Sequence, residues 1–203
     1  MAKQAVAIVG TYRRGRVIDN AVSEILKGLE AEGVETSTVH LLDSKIEFCM
    51  NCRACTQAPG EQRGQCVLED DMEGILEKID QADVVVLASP VNFGTVTALM
   101  KRFVERLVCT AYWPWESQAY PKPRSKTKTK QAILVTSSAC PAVIGRWLMP
   151  SSLKVLKQAA DCMLAKVYKA LYFGMVAEAQ AEVLRDKDQD KAYAAGRALG
   201  ASL

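Results

Sequence analysis

Four cysteines stand close together as Cys49-x2-Cys52-x2-Cys55-x10-Cys66. Four thiolates within one loop are what a 4Fe–4S cluster requires, and the first three have ferredoxin-like spacing. The same donors suit tetrahedral zinc. A cysteine-rich loop can equally carry bare thiols, free or partly paired. Spacing alone does not choose among the three, because metal identity depends on geometry as well as on donor type. The chain has seven cysteines, an odd number, and reaches its first strand by Gln4, which leaves no room for an export signal. Reduced thiols or metal ligands are therefore expected rather than a disulfide framework, and a cytoplasmic location with them.

A second candidate is Ser89-Pro90-Val91-Asn92-Phe93-Gly94, which follows the unbroken apolar run of Asp83–Ala88. That run reads as a strand buried on both faces and halted by Ser-Pro and Gly. A helical stripe follows at Val96, Leu99, Met100, Phe103, Val104, Leu107 and Val108. A third candidate is the turn Gly10-Thr11-Tyr12-Arg13-Arg14-Gly15-Arg16, between the first strand and a helix. A helix N-terminus offers unpaired N–H groups and partial positive charge; a hydroxyl and three arginines add donors, so the turn suits a phosphate. His40, the only histidine, has no nucleophile or carboxylate constellation around it and reads as structural.

The elements that must position these residues alternate strand and helix. Strands are expected at Gln4–Val9, Val34–Leu41, Asp83–Ala88, Ala132–Thr136 and Ala165–Phe173. Helices are expected from Val17 to Leu29, around Met72–Ile79, after the second candidate loop, at Leu153–Met163 and at about Asp188–Leu199. Asp70 and Glu73 have the spacing of a capping box. The first, third and fourth strands are nearly all apolar, as central parallel strands are, and the other two carry polar residues, as edge strands do. This pattern predicts an α/β fold, a flavodoxin-like doubly wound five-stranded parallel sheet in the order 2-1-3-4-5. The first strand lacks G-x-G-x-x-G after it, which disfavours a dinucleotide-binding half.

The chain has 203 residues, a net charge of +3 and 49% hydrophobic residues, which suits one domain over 1–203. A cysteine-rich loop at 43–69 and a long basic loop at 110–131 interrupt it. The small net charge implies no nucleic-acid partner, and no apolar run reaches membrane-spanning length.

With these residues in order, the chain resembles the NADPH-dependent FMN reductases of flavodoxin-like fold. Gly10-Thr11-Tyr12-Arg13 matches that family's G-S/T-x-R phosphate loop, and Ser89-Pro90-Val91-Asn92-Phe93-Gly94 its S-P-x-Y-x-G flavin loop. Lys101-Arg102-Phe103-Val104-Glu105-Arg106 matches its K-x-F-I/L-D-R helix, and Val135-Thr136-Ser137-Ser138 its third loop. The resemblance implies FMN held by Thr11, Arg13 and Arg14 with Val17 and Ile18 at the helix start. It places the flavin ring against Pro90, Val91, Asn92, Phe93, Gly94, Ser137 and Ser138. Asn92 replaces the family's usual aromatic, and Val17-Ile18 replaces a polar pair. The cysteine motif is similar to that of the iron–sulfur flavoproteins, a branch of the same fold, with a longer final gap.

The expected function is that of an FMN-binding oxidoreductase passing electrons from NAD(P)H to a small acceptor. An alternative is an iron–sulfur flavoprotein carrying electrons from ferredoxin, with Cys49, Cys52, Cys55 and Cys66 as cluster ligands. Another is a non-catalytic metal- or flavin-sensing module. The flavin performs the redox chemistry, so no catalytic side chain is expected. A homodimer or homotetramer is expected.

Overall fold

The computed structural model describes residues 2–118, 120–176 and 183–203; residues 1, 119 and 177–182, inside the expected domain, lie outside the described residues. Apolar alternation on two faces builds the centre of the molecule. On β1 (Gln4–Val9), Val6 and Ile8 enter one core, while Ala5, Ala7 and Val9 enter the other. On β3 (Val84–Ala88), Val85 and Leu87 divide from Val84, Val86 and Ala88 in the same way. Successive side chains of a strand point to opposite faces, so only an all-apolar run can serve two cores at once.

Chain order continues through α1 (Val17–Glu30), β2 (Glu35–His40) and α2 (Met72–Gln81) before β3, then α3 (Ala98–Arg106). A two-residue ribbon, β4 (Ala111–Tyr112) and β5 (Lys122–Pro123), precedes β6 (Lys130–Ser137). Helices α4 (Ala142–Leu148) and α5 (Ser151–Cys162), strand β7 (Ala165–Phe173) and helix α6 (Asp186–Gly200) complete the fold. The main sheet is parallel throughout, in the order β2-β1-β3-β6-β7, with one register shift between Ala132 and Ile133. Counted among its own five strands this is 2-1-3-4-5, the flavodoxin-like arrangement that the apolar and polar strands predicted. Helices α1 and α6 cover one face, and α2, α3 and α5 the other.

Glycine makes the first layer close. A Cβ on Gly28 would lie 2.3 Å from the Tyr193 carbonyl oxygen, and one on Gly196 2.0 Å from that of Ile25. The backbones of α1 and α6 thus meet where no side chain fits.

Three local features depart from the sequence expectation. The basic loop contains the β4–β5 ribbon, too short to leave an alternating pattern. Helix α4 has no apolar stripe facing the core: Val143, Ile144, Trp147 and Leu148 are exposed and Gly145 is its buried residue, so its periodicity gives no signal. Finally, Asp70 does cap α2 by accepting the Met72 N–H, at 3.0 Å, but the capping box is not completed. Glu73 instead forms a two-pronged pair with Arg63, at 2.6 and 2.8 Å.

Candidate functional site

The loops after β1, β3 and β6 lie side by side because the hydrogen-bond ladder of the sheet runs on into them. Gly10 donates to the Ala88 carbonyl at 2.8 Å, Ser89 to Val135 at 3.0 Å, Val91 to Ser137 at 2.8 Å and Ser138 to Phe173 at 2.9 Å. A buried hydroxyl pair reinforces the first two loops. Thr97 caps α3 by accepting the Met100 N–H, and its hydroxyl donates to the Gly10 carbonyl at 2.7 Å. Ser89 Oγ accepts the Thr97 N–H at 3.1 Å. Gly10 is required here, since a Cβ would meet that of Met100 at 2.8 Å.

Within the first loop, Thr11 is buried and its Oγ1 accepts the Arg13 N–H at 3.2 Å. The residue before α1, Arg16, provides no side-chain cap, so the first N–H groups of the helix keep their donor capacity. These are the donors a phosphate needs, and the loop fits one. Arg14 pairs with Asp43, and Gly15 donates to Asp19 at 2.7 Å. The side chains of Val17 and Ile18 are buried in the core beneath α1. What those two positions can offer a ligand is their backbone N–H groups, which needs no polar side chain.

The second loop ends in a tight turn. Asn92 and Thr95 exchange backbone hydrogen bonds, at 2.8 and 3.2 Å, across Phe93 and Gly94, whose φ angles are +49° and +81°. Two consecutive left-handed residues define a reversed-hand turn, which glycine adopts readily and phenylalanine only under constraint. Phe93 is fully exposed and Asn92 is exposed. Open space surrounds Gly94, so its turn conformation rather than crowding calls for glycine. In the third loop Ser137 and Ser138 are buried, and Ser138 Oγ lies 3.2 Å from both the carbonyl oxygen and the sulfur of Cys140.

The four clustered cysteines form a second centre. Cys55 is buried, Cys49 and Cys66 are half-buried and Cys52 is exposed. Burial pushes the Cys55 thiol up, and the nearby Cys66, Cys49 and Cys52 push it further. No three His, Cys, Asp or Glu side chains among the described residues converge on a point that one metal ion could fill. A cluster makes a different demand, since each thiolate bonds its own iron at a separate corner and the sulfurs stand further apart. Two N–H groups of this region, Arg53 Nε and Trp113 Nε1, are buried without a hydrogen-bond partner. The donor set itself, four thiols carried by one loop, has the chemistry that such a group requires.

Several residues that hold this loop are not evident from spacing. Arg53, inside the cysteine motif at φ +56°, stacks on Trp113 at 3.6 Å and Trp115 at 4.5 Å. It also donates to the Trp113 and Pro114 carbonyls. Arg124 of the basic loop donates to the carbonyls of Cys55, Ala58, Gly60 and Cys109. A Cβ on Gly64 would lie 1.7 Å from the Cys55 carbonyl oxygen. Arg106 is buried against Asp70 and reaches Cys66. Its sequence signal is its place at the end of the Lys101–Arg106 motif of α3, which says nothing of Asp70 or Cys66 as its partners.

Two cavities border these regions, and the smaller is lined by Arg14 and Gly15 of the first loop together with His40. The larger, of about 910 Å³, opens near the amino-terminal ends of β6 and β7, between α2, α5 and the basic loop. There Lys128 pairs with Asp161 and Lys130 donates to the Asp80 carbonyl, so these cations brace the chain itself.

An open parallel α/β sheet in this strand order, with three loops gathered at its carboxyl edge, defines the flavodoxin-like fold. Residues 4–147 match the family model described as NADPH-dependent FMN reductase, and the chain belongs to that family. An iron-sulfur flavoprotein of Archaeoglobus fulgidus is 35% identical over 111 residues, 55% of this chain and 48% of that protein. One of Methanocaldococcus jannaschii is 36% identical over 103 residues, 51% of each chain. The chain thus matches about half the length of these curated relatives. Among solved structures, an NAD(P)H:quinone oxidoreductase from Methanothermobacter marburgensis superposes with a TM-score of 0.68. It is 17% identical, with 98% of this chain and 96% of that one covered, and so shares the fold. Among the described residues, no helix is long and apolar enough to cross a membrane.

Proposed function

We propose that this chain is an FMN-dependent oxidoreductase that takes electrons from NAD(P)H and delivers them to a small acceptor. The observation that carries this reading is the three-loop edge, where an uncapped helix and a buried Thr11 meet two further loops within one hydrogen-bond ladder. FMN, when bound, supplies both hydride acceptance and one-electron transfer. Thr11, Arg13 and the first N–H groups of α1 would hold the phosphate, with Arg14 beside them in the same turn although Asp43 offsets its charge. Pro90, Val91, Asn92, Phe93 and Gly94, together with Ser137 and Ser138, would hold the ring. Phe93 is exposed and shields the ring from water. No side chain serves as acid or base.

A second reading is favoured by the cysteine loop and by relatives named iron-sulfur flavoproteins. Cys49, Cys52, Cys55 and Cys66 hold a 4Fe–4S cluster, and ferredoxin replaces the nicotinamide as donor. The two readings share the flavin and differ in the electron source. We place the protein in the cytoplasm as a homodimer or homotetramer, with the exposed Val143, Ile144, Trp147 and Leu148 of α4 as contact surface.

The test is anaerobic purification with ample iron and sulfide, followed by flavin, iron and sulfide assay. Rapid mixing with NADH, NADPH and reduced ferredoxin then shows which donor reduces the flavin. Protein that is colourless and takes up no FMN overturns both readings. The phosphate assignment is checked with Arg13→Ala, which should weaken FMN by about 1.5–3 kcal/mol, the range for a charge-assisted hydrogen bond. An unchanged dissociation constant in direct titration removes Arg13 from the site.

A further inference from the structure

The last turn of α3 places a cation under the cysteine loop. Arg106 is 4% exposed and its partner Asp70 has a side-chain exposure of 0%. The guanidinium makes four bonds from its two terminal nitrogens. Nη1 donates to Asp70 Oδ2 at 2.5 Å and to the Glu47 carbonyl at 2.9 Å. Nη2 donates to Asp70 Oδ1 at 3.2 Å and to the sulfur of Cys66 at 3.5 Å. Each terminal nitrogen carries two protons, so this arrangement uses all four. Asp70 is fixed in turn by the N–H groups of Glu47, at 2.7 Å, and Met72, at 3.0 Å. The fork therefore has one orientation, and one of its N–H groups is committed to sulfur.

Cys66 is also the cysteine that most needs an anchor, since ten residues separate it from Cys55 while the other three follow at intervals of three. Arg106 ties it to Glu47, two residues before Cys49, and so closes the two ends of the loop on one side chain.

We propose that Arg106 is a positioning residue that holds Cys66 in the ligand set and raises the reduction potential of the cluster; this rests on the reading of the four cysteines as cluster ligands. When the cluster accepts one electron, no bond forms or breaks and the group gains one negative charge. That charge spreads onto the sulfurs, where an N–H···S bond from a buried cation stabilises the reduced form more than the oxidised one. Lysine can keep the ion pair with Asp70, but its single nitrogen cannot reproduce the planar fork that reaches Asp70, Glu47 and Cys66 together.

The experiment uses the full chain, loaded anaerobically with iron and sulfide, as wild type and as R106K. A mediated redox titration followed by EPR reads the cluster midpoint. The expected result is unchanged FMN content and a midpoint moved negative by up to tenfold in the one-electron equilibrium, which is about 59 mV. R106K that keeps FMN but loses iron supports the same role, because Cys66 has lost its anchor. A full cluster with an unmoved midpoint overturns the proposal and leaves the cluster reading intact. Wild-type protein that takes up no iron overturns the cluster reading itself, and the proposal with it. A measurement on the reduced wild type stands even if the variant does not fold. With 15N-labelled arginine, pulsed EPR should show a guanidinium nitrogen coupled to the reduced cluster that persists in R53K, and its absence refutes the assignment.

Discussion

Thr97 shows how much one hydroxyl can organise. It caps α3 and donates to the Gly10 carbonyl, so it joins the helix after β3 to the end of β1. Thr97→Val keeps the shape but removes the cap and leaves the Gly10 carbonyl with only the longer bond from Ser89 Oγ, at 3.4 Å. The expected loss is about 1–3 kcal/mol of stability, read from urea midpoints, with Thr97→Ser close to wild type. His40 makes a different prediction. Burial first, and then the nearby Arg14, lower its pKa from the usual 6.5, against the opposing pull of Asp19 and Asp43. The unfolded chain then takes up the proton before the folded one does, so stability falls as pH drops through about 6.5. His40→Gln should flatten that slope between pH 7.5 and 5.5. The lowered carboxyl of Asp70 acts in a separate window: burial opposes the shift, but Arg106 and two backbone N–H groups outweigh it. Its contribution is lost only as pH falls below the ordinary value of 3.8. Little of this was legible in the sequence, because a buried arginine or a bridging threonine looks like any surface residue until its partners are brought together.

At the scale of elements, helix α3 connects the two centres. It starts beside the second strand-end loop and ends under Cys66, a rise of about 13 Å at 1.5 Å per residue. The cysteine loop is clasped from outside as well, by the Trp113–Arg53 stack and by Arg124. Gly64 measures how tightly it is held. A Cβ there collides with the Cys55 backbone, so Gly64→Ala should lower the iron-to-flavin ratio while FMN binding survives. Gly74, with open space around it in α2, is the control. Its change to Ala should be neutral or stabilising by up to about 1 kcal/mol. The strands and the large helices were readable because burial on two faces demands unbroken apolar runs, as at Val84–Ala88, and one-sided burial a helical stripe. Helix α4 and the β4–β5 ribbon bury almost nothing, so no periodicity marks them. The Asp70–Glu73 spacing misled for a physical reason: Glu73 faces a stronger partner in Arg63 than the backbone N–H of a capping box.

For the whole molecule, the order β2-β1-β3-β6-β7 brings three connections to one edge, while a cavity of about 910 Å³ opens toward the other end, between α2, α5 and the basic loop. The hydrogen bonds that run past the strand ends, from Gly10, Ser89, Val91 and Ser138, extend the ladder of the sheet into that edge. Their consequence lies in time rather than in space. An amide locked into a central ladder exchanges its proton for deuterium only when the ladder itself opens. These four amides should therefore exchange as slowly in flavin-free protein as those of Val86 and Leu134, and gain little protection when FMN is added. The binding edge is then ordered before its ligand arrives, and association carries almost no cost of ordering backbone there.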